Sequence, residues 1–272
     1  WASDETSAIA TYGEINTWNV SLITNMSNLF NSSYFNGDIS TWDVSNVTNM
    51  YAMFENAENF NGDLSSWDVS SVTDMGDMLS NASNFNQDLS SWDVSNVTNM
   101  YSMFRNTVYF NADISTWDVS NVTNMENMFI SAYGFNRDIS SWDASSVTNM
   151  DYMFDGASAL SSANKYLIHQ SFSSNPAWPY DWSIYAPVFT FASKAELLTA
   201  VDLWVSNEGS AIVTYGEINS WDVSLITDMN YLFYDVHDFN EDLSSWDVSN
   251  VTNMEFMFKN TYYFNGDIST WD

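Results

Sequence analysis

The chain contains no cysteine, which excludes disulfide bonds and thiolate metal sites. Basic residues are also scarce: 5 Lys and Arg stand against 35 Asp and Glu, giving a formal net charge of -30. Nucleic acids and anionic membrane surfaces are bound through Lys and Arg, so we expect neither as a partner. No apolar run approaches the roughly 18 residues that a membrane-spanning helix requires, so we expect no membrane insertion in this segment.

Residues on which enzyme sites depend are few. There are only 9 Gly, and none form a phosphate-binding loop. His169 and His237, the only histidines, lie far apart in the sequence; we predict surface or cap positions for both, which excludes a triad or a histidine metal site. Carboxylates are abundant but periodic, whereas acid–base hydrolysis needs two carboxylates in different environments. We therefore predict a protein that is not an enzyme and has no organic cofactor.

What the chain does have is a repeated unit. The stretch from Phe35 to Asn59 starts again at Phe60, Phe85, Phe110 and Phe135, and the same unit returns at Phe239 and Phe264. A fixed period of this size predicts a solenoid, in which each coil buries its apolar side against its neighbours. With 45% hydrophobic and 17% aromatic residues, the chain has the composition of a packed protein rather than a disordered one.

Within one unit, two apolar patterns predict secondary structure. The short β-branched segment Ile39–Val44 predicts a strand. Met50, Met53, Phe54 and Ala57 follow at i, i+3, i+4 and i+7, which predicts a two-turn helix with Thr48 as its N-cap. The predicted fold class is therefore an α/β solenoid with one short strand and one short helix in each coil of about 25 residues, and with capping segments between arrays.

Stacking the units brings identical residues into columns, with like on like at roughly 5 Å. A ligand groove is one interpretation of these apolar columns, but core packing is favoured because they fall on the inward positions of both predicted elements. The columns are Trp18, Trp42, Trp67, Trp92, Trp117 and Trp142; Met26, Met50, Met75, Met100, Met125 and Met150; and Phe30, Phe54, Leu79, Phe104, Phe129 and Phe154.

Polar columns run beside the apolar ones. The asparagine column predicts an internal ladder in which each amide bonds the backbone of the next coil. Aspartates stacked about 5 Å apart repel, so each needs a backbone donor, water or a cation. Backbone capping and bridging by Ca²⁺ both remain open, although no Asp-x-Asp-x-Asp-Gly loop is present. The members are Asn36, Asn61, Asn86, Asn111 and Asn136; the calcium candidates Asp38, Asp63, Asp88, Asp113 and Asp138; and a second aspartate column, Asp43, Asp68, Asp93, Asp118 and Asp143.

Asn-x-Ser/Thr sequons are the best-defined chemical motif, and they predict N-glycosylation if the chain is secreted by a eukaryote. A chain this rich in Asn, Ser and Thr also forms sequons by chance. Two large glycans at Asn96 and Asn121 would crowd each other on adjacent coils. The candidates are Asn19, Asn25, Asn31, Asn46, Asn81, Asn96, Asn121 and Asn250.

A second, longer repeat organises the chain into modules. Residues 204–219 match residues 1–16 at an offset of 203, and Ser193 with Glu196 predicts a capped helix at 194–205. The first predicted module is 1–186, with the end of an opening cap at 1–14, six coils at 15–160 and a closing cap at 161–186. That closing cap holds a predicted helix at Asn164–Phe172 and an aromatic-rich segment at 175–182. The second module is 187–272, with coils from 215. Trp1 is not a natural start, so we expect a window onto a tandem polymer.

The unit at Phe85–Phe104, Phe-Asn-x-Asp-Leu-Ser-x-Trp-Asp-Val-Ser-x-Val-Thr-x-Met-x-x-Met-Phe, resembles the BspA-like leucine-rich-repeat surface proteins. It is most similar to their 25-residue DUF285 class, found in mycoplasmas, other bacteria and marine microalgae. The segments around Trp178–Trp182 and Lys194–Trp204 resemble the caps of algal members. The resemblance implies an extracellular or cell-surface protein with a leucine-rich-repeat-like solenoid and no enzymatic activity. Algal caps often carry cysteines, which are missing here, so these caps must hold by packing.

These observations favour a structural role. Tandem modules without a catalytic site, and with an acidic surface, suit a subunit of an extracellular filament or surface appendage that continues into further modules of the same polymer. The alternative is an adhesion or ligand-binding solenoid whose outward Tyr51, Tyr101 and Tyr152 contact glycans or proteins.

Overall fold

The computed structural model describes residues 4–186 and 188–271. The chain divides into two compact units, Trp1–Ser183 and Ile184–Asp272. Three parts of the predicted modules lie outside the described residues: 1–3 of the opening cap, and Pro187 and Asp272 at the two ends of the second module. Among the described residues, no helix combines the length and the apolar character needed to cross a membrane.

The predicted strand is wrong. The part of the chain that the structure describes contains no β-strand, so the α/β solenoid with one strand and one helix per coil is not the fold. At Ile39–Val44 the backbone turns, because the amide of Trp42 donates to the carbonyl of Ile39 at 3.1 Å. Ile39, Trp42 and Val44 are nevertheless all buried, so the apolar pattern identified inward positions correctly but not the backbone conformation.

The predicted helix over residues 50–57 is also wrong. Ala52 and Asn56 have φ values of 53° and 58°, in the left-handed region that an α-helix cannot include. A run of tight turns replaces the helix: the amide of Met53 donates to the Met50 carbonyl at 3.2 Å, and that of Ala57 to the Phe54 carbonyl at 3.0 Å. Met50, Met53, Phe54 and Ala57 are all buried, so their spacing identified the inward positions correctly but not the backbone conformation.

The alternate amides of this segment bond to the next coil instead of within a helix. The carbonyls that accept them lie 24 residues further along the chain, at 2.8–2.9 Å: Met50 to Asp74, Ala52 to Gly76, Phe54 to Met78 and Asn56 to Ser80. The same ladder recurs in the following coils, for example from Phe104 to Met128. Neighbouring coils therefore supply the partners that secondary structure provides in other folds.

Single parallel bridges accompany this ladder. In the first unit they join Asn25 to Asn49, Asn49 to Asp74, Asp74 to Asn99, Asn99 to Asn124 and Asn124 to Asn149. The preceding threonine is part of the same seam: Thr48 donates to the Thr24 carbonyl through its amide at 2.9 Å and through its hydroxyl at 3.2 Å. Thr48 is therefore not a helix N-cap, as predicted, but a bond between coils.

Aromatic columns form the core, as predicted. Met and Phe side chains of the middle coils are fully buried. Ring centroids of adjacent coils are 5.5 Å apart for Phe104 and Phe129, and 6.3 Å apart for Trp92 and Trp117. Each inner-coil indole also donates to a backbone carbonyl of the preceding coil, as Trp92 does to Leu64 at 3.0 Å. The buried Trp column is therefore satisfied in its polar atom as well as packed.

The α-helices of the described residues lie before or after the runs of coils. They are α1 (Glu5–Tyr12), α2 (Ser162–Phe172), α3 (Lys194–Ser206) and α4 (Glu208–Tyr215), and short 3₁₀ helices lie at Ile15–Thr17, Ser183–Tyr185 and Ile218–Ser220. The helix predicted at Asn164–Phe172 lies within α2, and the one predicted at 194–205 lies within α3. Ser193 caps α3 by accepting from the Glu196 amide at 3.3 Å, while the Glu196 carboxylate accepts from the Ala192 amide at 2.9 Å.

Candidate functional site

The aspartates that were candidate calcium ligands cap their own turns. In each, Oδ1 accepts from the amide of the serine two residues further on, at 2.9–3.0 Å. The prediction of backbone capping is confirmed at all five positions: Asp38, Asp63, Asp88, Asp113 and Asp138. The second column behaves in the same way at 3.0–3.2 Å, at Asp43, Asp68, Asp93, Asp118 and Asp143.

These hydrogen bonds favour the charged carboxylates. The hydroxyl of Ser40, followed by its amide, lowers the pKa of Asp38, and the amide and hydroxyl of Ser65 lower the pKa of Asp63. Stacking opposes the effect, because the carboxylates of Asp38 and Asp88 raise the pKa of Asp63. Among the described residues, no three acidic or histidine side chains form a group able to hold a metal ion, so binding of Ca²⁺ stays a prediction.

The asparagine column forms the predicted ladder. Each Oδ1 accepts from the backbone amide of the asparagine one coil further on, at 2.8–3.0 Å, from Asn36 through Asn61, Asn86 and Asn111 to Asn136. The last amide group of the ladder bonds to the closing segment instead: Asn136 accepts from the Ser161 amide at 3.0 Å and from the Asn164 side chain at 2.9 Å. The ladder therefore ends at α2 without an unpaired amide oxygen.

Sequon asparagines fall into three structural groups. Asn19 and Asn25 are exposed, and each uses Oδ1 to accept from its own turn. Asn31 and Asn81 are half-buried, and the Asn81 side chain bonds to asparagines of the coils on both sides. The remaining four are exposed, but their Nδ2 atoms donate to serine carbonyls of the preceding coil at 2.8–2.9 Å: Asn46, Asn96, Asn121 and Asn250.

The opening structure of a module occurs twice. α1 follows Asp4, whose carboxylate caps Ser7, and ends at Gly13 with φ 79°. α4 follows Asn207, whose side chain caps Ser210, and ends at Gly216 with φ 77°. A 3₁₀ helix comes directly afterwards in both places. The longer repeat seen in the sequence is therefore also a structural repeat.

Comparison with known families identifies the coils. The family model described as "Mycoplasma protein of unknown function, DUF285" matches residues 3–107, 88–174 and 207–272, well over half of the chain. The chain belongs to the DUF285 family. No curated protein and no solved structure matches it.

Residues 175–182 lie outside the DUF285 matches and cover the last coil of the first unit. The Tyr180 hydroxyl accepts from the Phe154 amide and donates to the Asp155 carboxylate, both at 2.9 Å. The side chain of Asn175 donates to the carbonyls of Ala144 and Val147 at 2.8 and 2.9 Å. At the Phe154 amide this aromatic-rich segment therefore takes the place of another DUF285 coil, and through Asn175 it adds hydrogen bonds to two further backbone carbonyls of the last coil.

The other singled-out side chains occupy varied positions. Tyr51 and Tyr152 are 37% and 58% exposed, whereas Tyr101 is half-buried. His169 lies in the closing segment and accepts from the Trp178 indole at 3.1 Å, and exposed His237 stacks on Tyr262.

The residues of the DUF285 coils that have left-handed backbone conformation were not predicted. Coils such as that of Ala52 and Asn56 have two of them, four residues apart, and the residue types at the later position indicate this conformation. Five of the residues there are Asn or Asp, which are enriched at positive φ, and one is Gly; the full set is Ser32, Asn56, Asn81, Asn106, Ser131, Gly156, Asp235 and Asn260.

Proposed function

We propose that this DUF285 chain is a non-enzymatic structural part of an extracellular filament or cell-surface appendage, built from tandem modules of about 203 residues. The observation that carries the proposal is the recurrence of one opening structure, α1 with its caps and α4 with its caps, at that spacing. A chain that starts the same module twice is organised as a linear series, which is the organisation of a structural polymer.

Internal bonding of the coils supports this proposal. Successive coils are joined by backbone, asparagine, threonine and tryptophan ladders, and the side chains that line them are used for cohesion rather than chemistry. The extracellular or cell-surface location is part of the same proposal. It is supported by the exposed sequons and by the resemblance of the caps to those of microalgal BspA-like proteins.

Electron microscopy of the native material, with gold-labelled antibodies against this chain, tests the proposal. We expect regularly spaced label along threads, with beads at the repeat distance of one module. A matched control is antibody raised against an unrelated surface protein of the same cells. Label confined to isolated globular particles, or to the cell interior, would contradict the structural role.

Adhesion is the second candidate, and exposed aromatic side chains favour it. Tyr109, Tyr133 and Tyr152 are 50–63% exposed, and exposed tyrosines are suited to stacking on sugars and to protein contacts. A glycan array probed with the wild-type chain and with the triple alanine variant at these positions tests this role. Binding that the variant loses would favour adhesion, and a blank array with both proteins would argue against glycan recognition.

A further inference from the structure

An open apolar cavity lies at the start of the first unit. It has a volume of 640 Å³ and is lined by Tyr12, Thr17, Trp18, Asn19, Val20 and Ile23. Tyr12 is 70% exposed, Ile23 is 43% exposed, and Trp18, the first member of the tryptophan column, is half-buried. The lining is largely hydrophobic, so the cavity is suited to apolar side chains rather than to a charged ligand.

The second unit contains the same site, 203 residues further on, and there it is filled. Phe189 packs edge-on against Tyr215 at 4.8 Å between ring centroids, and Phe191 packs against Trp221 at 5.1 Å. Tyr215 and Trp221 correspond to Tyr12 and Trp18. Trp204 of α3 completes the enclosure at 5.8 Å from Trp221.

Burial differs between the two sites accordingly. Ile226, the counterpart of Ile23, is 2% exposed, and Phe191 is completely buried. Ile23 and Ile226 are of the same type and follow equivalent 3₁₀ helices, and Ile226 shares one buried cluster with Phe191 and Leu197 of the covering segment. The covered site shows that phenylalanine side chains, Phe189 and Phe191, pack against this surface.

Backbone pairing gives a second, independent argument. In the second unit the amide of Asp222 donates to the Phe189 carbonyl at 2.9 Å, and the amide of Phe191 donates to the Asp222 carbonyl at 3.1 Å. Asn19 is the counterpart of Asp222, and among the described residues no backbone group pairs with its amide or its carbonyl. Among the residues that the structure describes, the Asn19 amide and carbonyl therefore lie beside an apolar cavity without a backbone partner, an arrangement that suits an extended peptide.

We propose that the cavity between Tyr12 and Ile23 is a docking site for an extended Phe-x-Phe segment that leads into an amphipathic helix, with the chemistry of residues 188–203. Phe side chains would fill the cavity, the segment backbone would pair with Asn19, and the helix would cover Ile23. The inference deepens the proposed function, because it names the segment that joins a module at its opening.

The polar contacts of the two sites are not identical. Lys194 forms an ion pair with Asp228 at 3.1 Å in the second unit, whereas the first has Asn25 in place of Asp228. Such a partly exposed pair contributes little in water. Apolar contact should therefore dominate at the first site, and binding should change little between low and high salt.

A synthetic peptide of residues 186–203, with a fluorescent label, tests the proposal against the full chain made in bacteria, where Asn19 carries no glycan. We expect saturable binding with one peptide per chain, and new hydrogen-exchange protection at the Asn19 amide. Protection at the Asp222 amide should stay unchanged, which distinguishes docking at the first unit from exchange with the segment already bound in the second. A peptide with Phe189 and Phe191 replaced by Ala should bind at least about tenfold more weakly.

Two adjacent substitutions in the chain give a matched control. Ile23→Asp places a carboxylate in the cavity, and we expect it to weaken peptide binding by about tenfold or more. Leu22→Asp adds the same charge at a neighbouring residue that is 89% exposed and does not line the cavity, so binding should be retained. Near-ultraviolet circular dichroism checks that both variants fold.

Absence of binding by the wild-type chain, or equal binding by the Ile23→Asp variant, would overturn the docking site. Protection at Asp222 without protection at Asn19 would also overturn it, because the peptide would then be replacing the segment of the second unit. These failures are distinct from failure of the filament proposal, since microscopy of the native material can show labelled threads whether or not this peptide binds.

Discussion

The hydroxyl of Tyr180 accepts a hydrogen bond from the backbone amide of Phe154 at 2.9 Å. In the preceding coil the equivalent amide, that of Phe129, donates at 2.8 Å to the carbonyl of Met153. A side-chain oxygen from the closing segment therefore replaces the carbonyl that another coil would provide. Burial raises the pKa of Tyr180, so the hydroxyl keeps its proton and also donates to Asp155.

Replacing Tyr180 with Phe removes this acceptor without removing the ring. We expect the free energy of unfolding of the first unit to fall by about 1–3 kcal/mol, because the partly buried Phe154 amide is left without a partner. Hydrogen exchange at the Phe154 amide should accelerate in parallel. Tyr152→Phe is the matched control: its side chain is 58% exposed, and its effect should stay within about 0.5 kcal/mol. Equal effects of the two substitutions would contradict the capping role.

Whether a feature of this fold could be predicted depends on the physical property that the sequence periodicity reflects. Side-chain periodicity reports burial, and it correctly placed Trp42, Met50 and Phe54 in the core. It does not report where a backbone amide finds its acceptor. The Ala52 amide bonds to Gly76 in the next coil, and that partner follows from stacking rather than from local sequence. For this reason, the sequence of a short apolar segment does not distinguish a helix from a run of turns.

The asparagine ladder can be tested at Asn111, whose Oδ1 accepts from the Asn136 amide at 2.9 Å. Asn111→Ala leaves that amide unpaired, and we expect a loss of about 1 kcal/mol or more in denaturant unfolding of the first unit. Asn111→Asp keeps an oxygen at the same position, so it should restore protection of the Asn136 amide against hydrogen exchange. If Asp protects that amide no better than Ala, the ladder bond does not order this seam.

Two buried hydroxyls of one coil make a matched pair. Ser102 is fully buried and its hydroxyl has no described partner, whereas Thr107 donates to the Leu79 carbonyl at 2.8 Å. One other coil holds alanine at both positions, at Ala52 and Ala57. Ser102→Ala should therefore leave stability unchanged or raise it by up to about 1 kcal/mol, and Thr107→Ala should lower it by about 1–3 kcal/mol. Thermal unfolding of both variants measures the contrast, and effects of the same sign and size would refute the assignment.

The pKa of Asp77 is shifted upward, in the opposite direction to that of exposed aspartates such as Asp88. Burial raises the pKa of Asp77, with the Glu55 and Asp74 carboxylates adding to the effect and the Tyr51 hydroxyl and Arg105 opposing it. An acid whose folded-state pKa is raised destabilises the fold when charged; this penalty begins to shrink as the pH falls through the folded pKa and vanishes below the unfolded-state pKa. We expect Asp77→Asn to raise the melting temperature at pH 7 and to have little effect at a pH where Asp77 is protonated.

Asp88→Asn is the control for Asp77, because hydrogen bonds from the amide and hydroxyl of Ser90 lower the pKa of Asp88. A lowered pKa contributes stability above the unfolded-state value of about 3.9, and this is lost as the pH falls through the folded pKa. The same substitution should therefore lower the melting temperature at neutral pH. Melting curves of both variants between acidic and neutral pH measure the two signs. A shared sign would show that net charge, not local environment, dominates.

The spacing of aspartates in the sequence did not distinguish these two environments. Asp88 belongs to a column that every coil repeats, so its capping role followed from periodicity. Asp77 occupies a position that holds Ala52 and Ser102 in neighbouring coils, and its pKa responds to Tyr51 and Arg105 in the coils on either side. The contacts that a variable position makes with neighbouring coils can be identified only from the stacked structure.

N-glycosylation should follow the hydrogen bonding of the sequons. In a eukaryotic secretory host we expect high occupancy at exposed Asn19, whose described contacts use Oδ1 rather than Nδ2. Asn96 should be occupied less, because its Nδ2 donates to the Ser70 carbonyl at 2.8 Å. Half-buried Asn81 should be occupied least, because its amide bonds to Asn56 and Asn106 in the adjacent coils and a glycan would separate them.

Glycopeptide mass spectrometry before and after glycosidase treatment measures these occupancies. Asn19→Gln is the control that should remove one glycan without changing the melting temperature, because its described hydrogen bonds lie within its own turn. Asn81→Gln should leave the mass of the glycans unchanged but lower the melting temperature, since the ladder between Asn56 and Asn106 is interrupted. Occupancy at Asn81 equal to that at Asn19 would mean that glycans are added before the coils stack and that the ladder does not exclude them.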